Sequence, residues 1–116
     1  MILATIKMTI PPKKRDQALK ILRPVGDRCK DHSGCLGYYI YEDIQEDNVL
    51  VLEEMWRSEE DLERHLCSEE YLNVLIVMEM ALKHPEVRFD TVSSSTGIET
   101  IEKARGHGQH PVKLEG

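Results

Sequence analysis

Apolar and polar residues alternate from Ile2 to Ile10, with Ile2, Ala4, Ile6, Met8 and Ile10 on one side of the pleat and Thr5, Lys7 and Thr9 on the other. That period of two predicts a strand. Pro11-Pro12 ends it, because neither proline can extend a ladder. The period then lengthens. Ala18, Leu19, Leu22 and Val25 recur at helical spacing between Lys13 and about Lys30, with Asp16 early and Lys30 late, where the helix dipole favours each. Pro24 inside this segment predicts a kink or a break.

His32-Ser33-Gly34 is a turn signal, and Cys35 to Tyr41 (CLGYYIY) reads as a second strand, rich in aromatics that suit a pleated surface. A further turn at Glu46-Asp47-Asn48 folds the next strand, Val49 to Trp56, back on it as an antiparallel hairpin. Ser58 and Asp61 form an S-x-x-D capping pattern for a new helix, on which Leu62, His65 and Leu66 share a face. Ser68-Glu69-Glu70 repeats the capping chemistry, so the helix is expected to break or bend there and restart through Leu72, Leu75, Ile76, Met80 and Leu82. This second half, YLNVLIVMEMAL, is apolar nearly all round, which predicts burial on several sides. Its Met78 and Met80 read as packing residues. His84-Pro85 stops it, and Val87, Phe89 and Thr91 alternate with Arg88 and Asp90 as a fourth strand. A last helix is expected from about Thr96 to Arg105, capped by Ser95 or Thr96, anchored by Ile98 and Ile101 and stopped by Gly106.

The order is β-α-β-β-α-β plus a C-terminal helix. That is the ferredoxin-like α+β class, a four-stranded antiparallel sheet with helices on one face. Strand three, Val49 to Trp56, is apolar on both faces and strand one is mostly so. Several hundred Å² of exposed sheet would forgo several kcal/mol at ~25 cal/mol per Å². A homodimer with two sheets packed face to face, a dimeric α/β barrel, is the expected remedy.

A chain of 116 residues fits one such domain. The net charge of −6 and the scattered lysines and arginines leave no basic stripe for phosphates, which argues against a nucleic-acid partner. No apolar run approaches the roughly 20 residues that span a bilayer, and MILATIKMTIPP has neither the basic start nor the cleavage site of a signal peptide. The expectation is a cytoplasmic protein without a membrane partner. Cys29, Cys35 and Cys67 are odd in number and contain no C-x-x-C pair, so they read as free thiols. His107 and His110, in the Gly/Pro-rich end of the chain, read as a flexible tail and not as a metal site.

Candidate chemistry concentrates in Asn48 to Leu66, where a strand ending in Glu54-x-Trp56, a capped turn and a helix bearing His65 can gather a carboxylate, an aromatic wall and an imidazole. Each also has a purely structural reading: His65 as a hydrogen-bonded core residue, Glu54 as its acceptor, Trp56 as a packing aromatic. Pleat alternation puts Tyr39 and Tyr41 together and Tyr38 opposite, so at least one of the three faces the dimer seam or solvent.

The stretch from Ile2 to Ser93 resembles an antibiotic biosynthesis monooxygenase (ABM) domain. The resemblance is carried by Gly34-Cys35-Leu36-Gly37-Tyr38 leading into strand two, by Glu54-x-Trp56, by Ser58-Glu59-Glu60-Asp61-Leu62, and by His65 with Ser68 following. It implies a family domain over residues 1–93, with 94–116 a C-terminal helix and tail outside it. It also implies a small dimeric protein, in a family that spans cofactor-free quinol and anthrone oxygenases, haem-degrading enzymes and an autoinducer isomerase. Where haem-degrading relatives carry the iron-binding histidine this chain has Leu75, where they carry a tryptophan it has His65, and a first-strand asparagine corresponds to Ile6. The resemblance therefore implies a cofactor-independent monooxygenase acting with O₂ on a small hydrophobic phenolic, quinol or anthrone-like molecule, using no metal or other cofactor. In that reading His65 is the base, since imidazoles titrate near neutral pH, and Trp56, Glu54, Tyr39 and Tyr41 bind substrate. A non-catalytic dimeric binding module, or an isomerase of the same family, stands as the alternative.

Overall fold

The computed structural model describes residues 1–106; the expectation for His107 and His110 lies outside them. The chain runs β1 (Ile2–Thr9), a 3-10 turn (Pro12–Lys14), α1 (Arg15–Cys29), β2 (Cys35–Glu42), β3 (Val49–Trp56), α2 (Glu59–Leu66), α3 (Tyr71–Glu79), β4 (Glu86–Thr91) and α4 (Ile98–Ala104). The four strands form one antiparallel sheet in the order β2-β3-β1-β4. This is the ferredoxin-like α+β arrangement that the pattern of periods predicts.

One face of the sheet carries the core. Ile2, Ile6 and Met8 of β1 and Leu50, Leu52 and Trp56 of β3 pack against Ala18, Leu22, Val25 and Cys29 of α1 and against Val74 and Val77 of α3. Each buried Ile, Leu, Val or Met side chain among them contributes about 1.5–3 kcal/mol relative to exposure. The helix α1 lies close on β2. A Cβ on Gly26 would stand 2.5 Å from the Tyr38 ring, and the Tyr38 hydroxyl donates to the Leu22 carbonyl at 3.0 Å.

Four local expectations meet a different outcome. Pro24 does not break α1, which continues to Cys29; Pro24 and Lys20 are both exposed, so the carbonyl left without its donor faces water. In α3 only Tyr71, Val74 and Val77 are buried, while Leu72, Leu75 and Ile76 are exposed. Among the described residues, α1 and the core cover one side of that helix and the other side is left open. Helix α4 begins later than expected. Gly97, not Ser95 or Thr96, is its N-cap, its amide bonded at 2.7 Å to the Glu99 carboxylate. Ile98 is half-buried and Ile101 exposed, so among the described residues neither is the buried anchor expected of it. Gly106 at φ 85° is the left-handed stop expected of a glycine there.

The second face of the sheet is mixed. Tyr39 and Tyr41, paired with Glu53 and Val51, are 44% and 48% exposed and stack on one another with centroids 6.1 Å apart. Leu3, Val51 and Met55 lie half-buried beside Thr5, Lys7 and Glu53. Among the described residues no helix is long and apolar enough to cross a membrane.

Candidate functional site

The end of β3 aims Leu52, Glu54 and Trp56 at the helical layer, and the chain then turns sharply into α2. Ser58 makes the turn. Its Oγ accepts from the Asp61 amide at 3.2 Å while its hydroxyl donates to Asp61 Oδ2 at 2.8 Å, a reciprocal N-cap. Asp61 is buried and also receives Arg57 at 3.1 Å and Arg64 at 3.3 Å. The Ser58 hydroxyl first, then the two arginines, holds its carboxyl below the usual range. Gly34 lies directly against the Asp61 side chain, where a Cβ would collide, and the Gly34 carbonyl accepts from the Arg57 amide at 2.9 Å. The strand-two turn and the start of α2 are thus locked together.

With α2 set in this register, Leu62 and His65 point inward. His65 Nε2 lies 2.9 Å from Glu54 Oε2, which places one proton between them. Trp56 Nε1 donates to the other carboxylate oxygen in a long bond of 3.4 Å. Glu54 and His65 are only 2% and 6% exposed, so each depends on the other to offset its desolvation. The imidazole sits between two aromatic rings, tilted on Trp56 at 4.6 Å and edge-on to Tyr71 at 5.1 Å. Ser68 holds this frame from behind. Its hydroxyl donates to the His65 carbonyl at 2.7 Å and accepts from the Tyr71 amide at 3.3 Å, ending α2 and starting α3. Burial, with the Glu54 carboxylate second, pushes the Tyr71 phenol up to about 12. Tyr71 therefore stays a neutral phenol at physiological pH.

A pocket of about 70 Å³ opens here, lined by His32, Gly34, Trp56, Asp61, Arg64, His65 and Ser68. At ~30 Å³ per water it has room for about two waters. His65 and Trp56 face it. Glu54 does not reach the wall; it stands behind, with both oxygens engaged, and acts on the pocket through His65 and Trp56. Tyr39 and Tyr41 do not join the site at all. The pleat puts them on the opposite face of the sheet from Glu54 and Trp56, and Tyr38, the tyrosine that turns inward, is consumed by Leu22. The sequence reading missed His32 and Arg64 as wall residues and Tyr71 as the ring packed on His65. His32 was legible only as a turn, and Tyr71 only as the start of an apolar run.

Fold and site together define a ferredoxin-like domain with a buried carboxylate–imidazole pair at one end of its sheet. The sequence profile of the antibiotic biosynthesis monooxygenase family matches residues 1–75, and the chain belongs to that family. Solved structures agree on the fold. A Mycobacterium tuberculosis protein superposes with a TM-score of 0.74 at 23% identity, covering 83% of this chain and 98% of that one. An antibiotic biosynthesis monooxygenase gives 0.72 at 19%, covering 81% and 100%. A conserved protein from Methanosarcina mazei gives 0.72 at 20%, covering 77% and 89%. No curated protein matches the chain.

Proposed function

We propose that the protein is a cofactor-independent monooxygenase that oxidises a small hydrophobic phenol, quinol or anthrone-like molecule with O₂. The observation that carries this reading is the buried Glu54–His65 pair, held between Trp56 and Tyr71 at the back of a pocket. Glu54 occupies Nε2, so proton uptake from substrate falls to Nδ1, and the carboxylate stabilises the imidazolium that results. For an anthrone-type substrate, the deprotonated carbon adds O₂ and the resulting hydroperoxide loses water. The CH₂ group becomes C=O, with one oxygen atom in the product and one in water. No metal or flavin enters that balance.

The pocket of one protomer holds less than a ring system, since ligand sites span ~300–1,000 Å³. Arg64 and His32 line it and are exposed, and we infer that a larger substrate displaces them. We further propose a homodimer, supported by the exposed Tyr39 and Tyr41 on the open sheet face and by Leu72, Leu75 and Ile76 on α3. Residues 1–93 form the family domain in this reading, 94–116 an appended segment, and the protein is cytoplasmic.

Oxygen consumption across a panel of quinols, anthrones and polyphenols tests the proposal. We expect stoichiometric O₂ uptake with at least one class, slowed by about 10²–10⁴-fold in His65→Ala. A second reading, a binding module without chemistry, draws on the fact that both Glu54 oxygens and His65 Nε2 already have partners. Ligand binding with no O₂ uptake across the whole panel would favour it.

A further inference from the structure

Cys29 ends α1 and Cys35 begins β2, and their sulfurs stand 3.1 Å apart as free thiols. A disulfide needs ~2.05 Å, so an approach of about 1 Å separates the pair from a bond. We propose that Cys29 and Cys35 form an oxidisable dithiol, a redox modification site for a peroxide-class oxidant, whose disulfide staples the loop that walls the pocket.

Three features beyond the distance support it. The loop between the two cysteines, residues 30–34, supplies His32 and Gly34 to the pocket wall. The ladder between β2 and β3 is irregular between Cys35 and Gly37, and a bulge can absorb a small shift of Cys35 without unzipping the strand. The two thiols are also unequal in access. Cys35 is half-buried, whereas Cys29 is 1% exposed and its thiol is pushed up by burial and by Cys35 itself. Oxidant therefore meets Cys35 first. The Cys35 thiolate attacks one peroxide oxygen, the O–O bond breaks, and the other oxygen departs as hydroxide, leaving Cys35 as a sulfenic acid. Cys29 sulfur then attacks Cys35 sulfur; the S–OH bond breaks and the Cys29 proton leaves with hydroxide as water. Two thiols and one peroxide yield one disulfide and two waters.

Cys67 is exposed and would confuse the result, so the test uses Cys67→Ser protein with hydrogen peroxide as the probe. We expect intact mass to fall by two hydrogens, a peptide map to link Cys29 with Cys35, and dithiothreitol to reverse both. Amide exchange across residues 30–34 should slow by about tenfold or more in the oxidised form. Three outcomes overturn the proposal: oxygen adducts on Cys35 with Cys29 still open to alkylation, no reaction at all, or a linked pair with unchanged exchange in the loop. The readouts are mass and exchange, so the result stands apart from whether the oxygenase reading holds.

Discussion

The two faces of the sheet treat their polar and aromatic groups in opposite ways. On the inner face Glu54 and His65 are buried, paired and clamped by Trp56 and Tyr71. On the outer face Tyr39 and Tyr41 stack in the open beside Glu53, with no hydrogen bond from either hydroxyl among those of the described residues. Glu53 and Glu54 are neighbours in sequence, yet one is half-exposed and the other is the hub of the site. The difference teaches that a carboxylate acquires chemical meaning here through desolvation, because removal from water makes a single partner decisive.

The sharpest way to break this contrast is to remove the imidazole. We expect His65→Ala to lower turnover by about 10²–10⁴-fold once a substrate is found, with the protein still folded by circular dichroism. Full activity in a stable variant would take His65 out of the mechanism. Next in size is Glu54→Ala, which strands a buried imidazole and should cost about 3–5 kcal/mol in urea unfolding. Glu53→Ala, one step along the strand, should cost under about 0.5 kcal/mol. Comparable losses at the two positions would erase the distinction between the faces.

The outer face should answer in association. Tyr39→Ser with Tyr41→Ser is expected to weaken the proposed homodimer by about tenfold or more in sedimentation, while saturating protein keeps its turnover. A monomer at low micromolar concentration in the unaltered protein would remove the dimer altogether.

Alkaline pH separates the inner tyrosines from the unfolded chain. Tyr71 ionises near 12 in the folded state against 10.0 ordinarily, and Tyr38 is raised further, both by burial first. Above pH 10 the unfolded state loses phenolic protons that the folded state keeps, so stability present below pH 10 falls as pH rises towards 12. Tyr71→Phe should shrink that decline in thermal melts across the window. The smallest effect belongs to the cap. Ser58→Ala should cost about 1 kcal/mol, read as a fall in melting temperature, because it removes the bond to the Asp61 amide.

Much of this architecture was written in local chemistry. Alternation in β1, the S-x-x-D cap at Ser58 and the break at Ser68 depend on residues within a few positions of each other, and side-chain period and capping act at that range. The helical face that carries His65 followed from the same spacing. That His65 would look towards Glu54 or Trp56 was legible too, because a strand, a short turn and a capped helix leave few ways to close.

Other features needed the third dimension. Tyr39 and Tyr41 share the inner residues' aromatic character, and pleat parity alone separates them from Tyr38 without saying which side is the core; packing of α1, through Gly26, on Tyr38 decided it. The all-round apolar α3 has no periodicity to reveal its buried stripe, so only its place beside α1 distinguishes Val74 from Leu75. The contact between Cys29 and Cys35 arises where a helix end meets a strand start, a junction whose geometry no spacing rule specifies. Sequence by itself determined the elements, their order and the face of α2, because these are short-range. Tertiary structure decided which polar groups left water and which sulfurs met, because desolvation and contact belong to the packed chain and not to any segment of it.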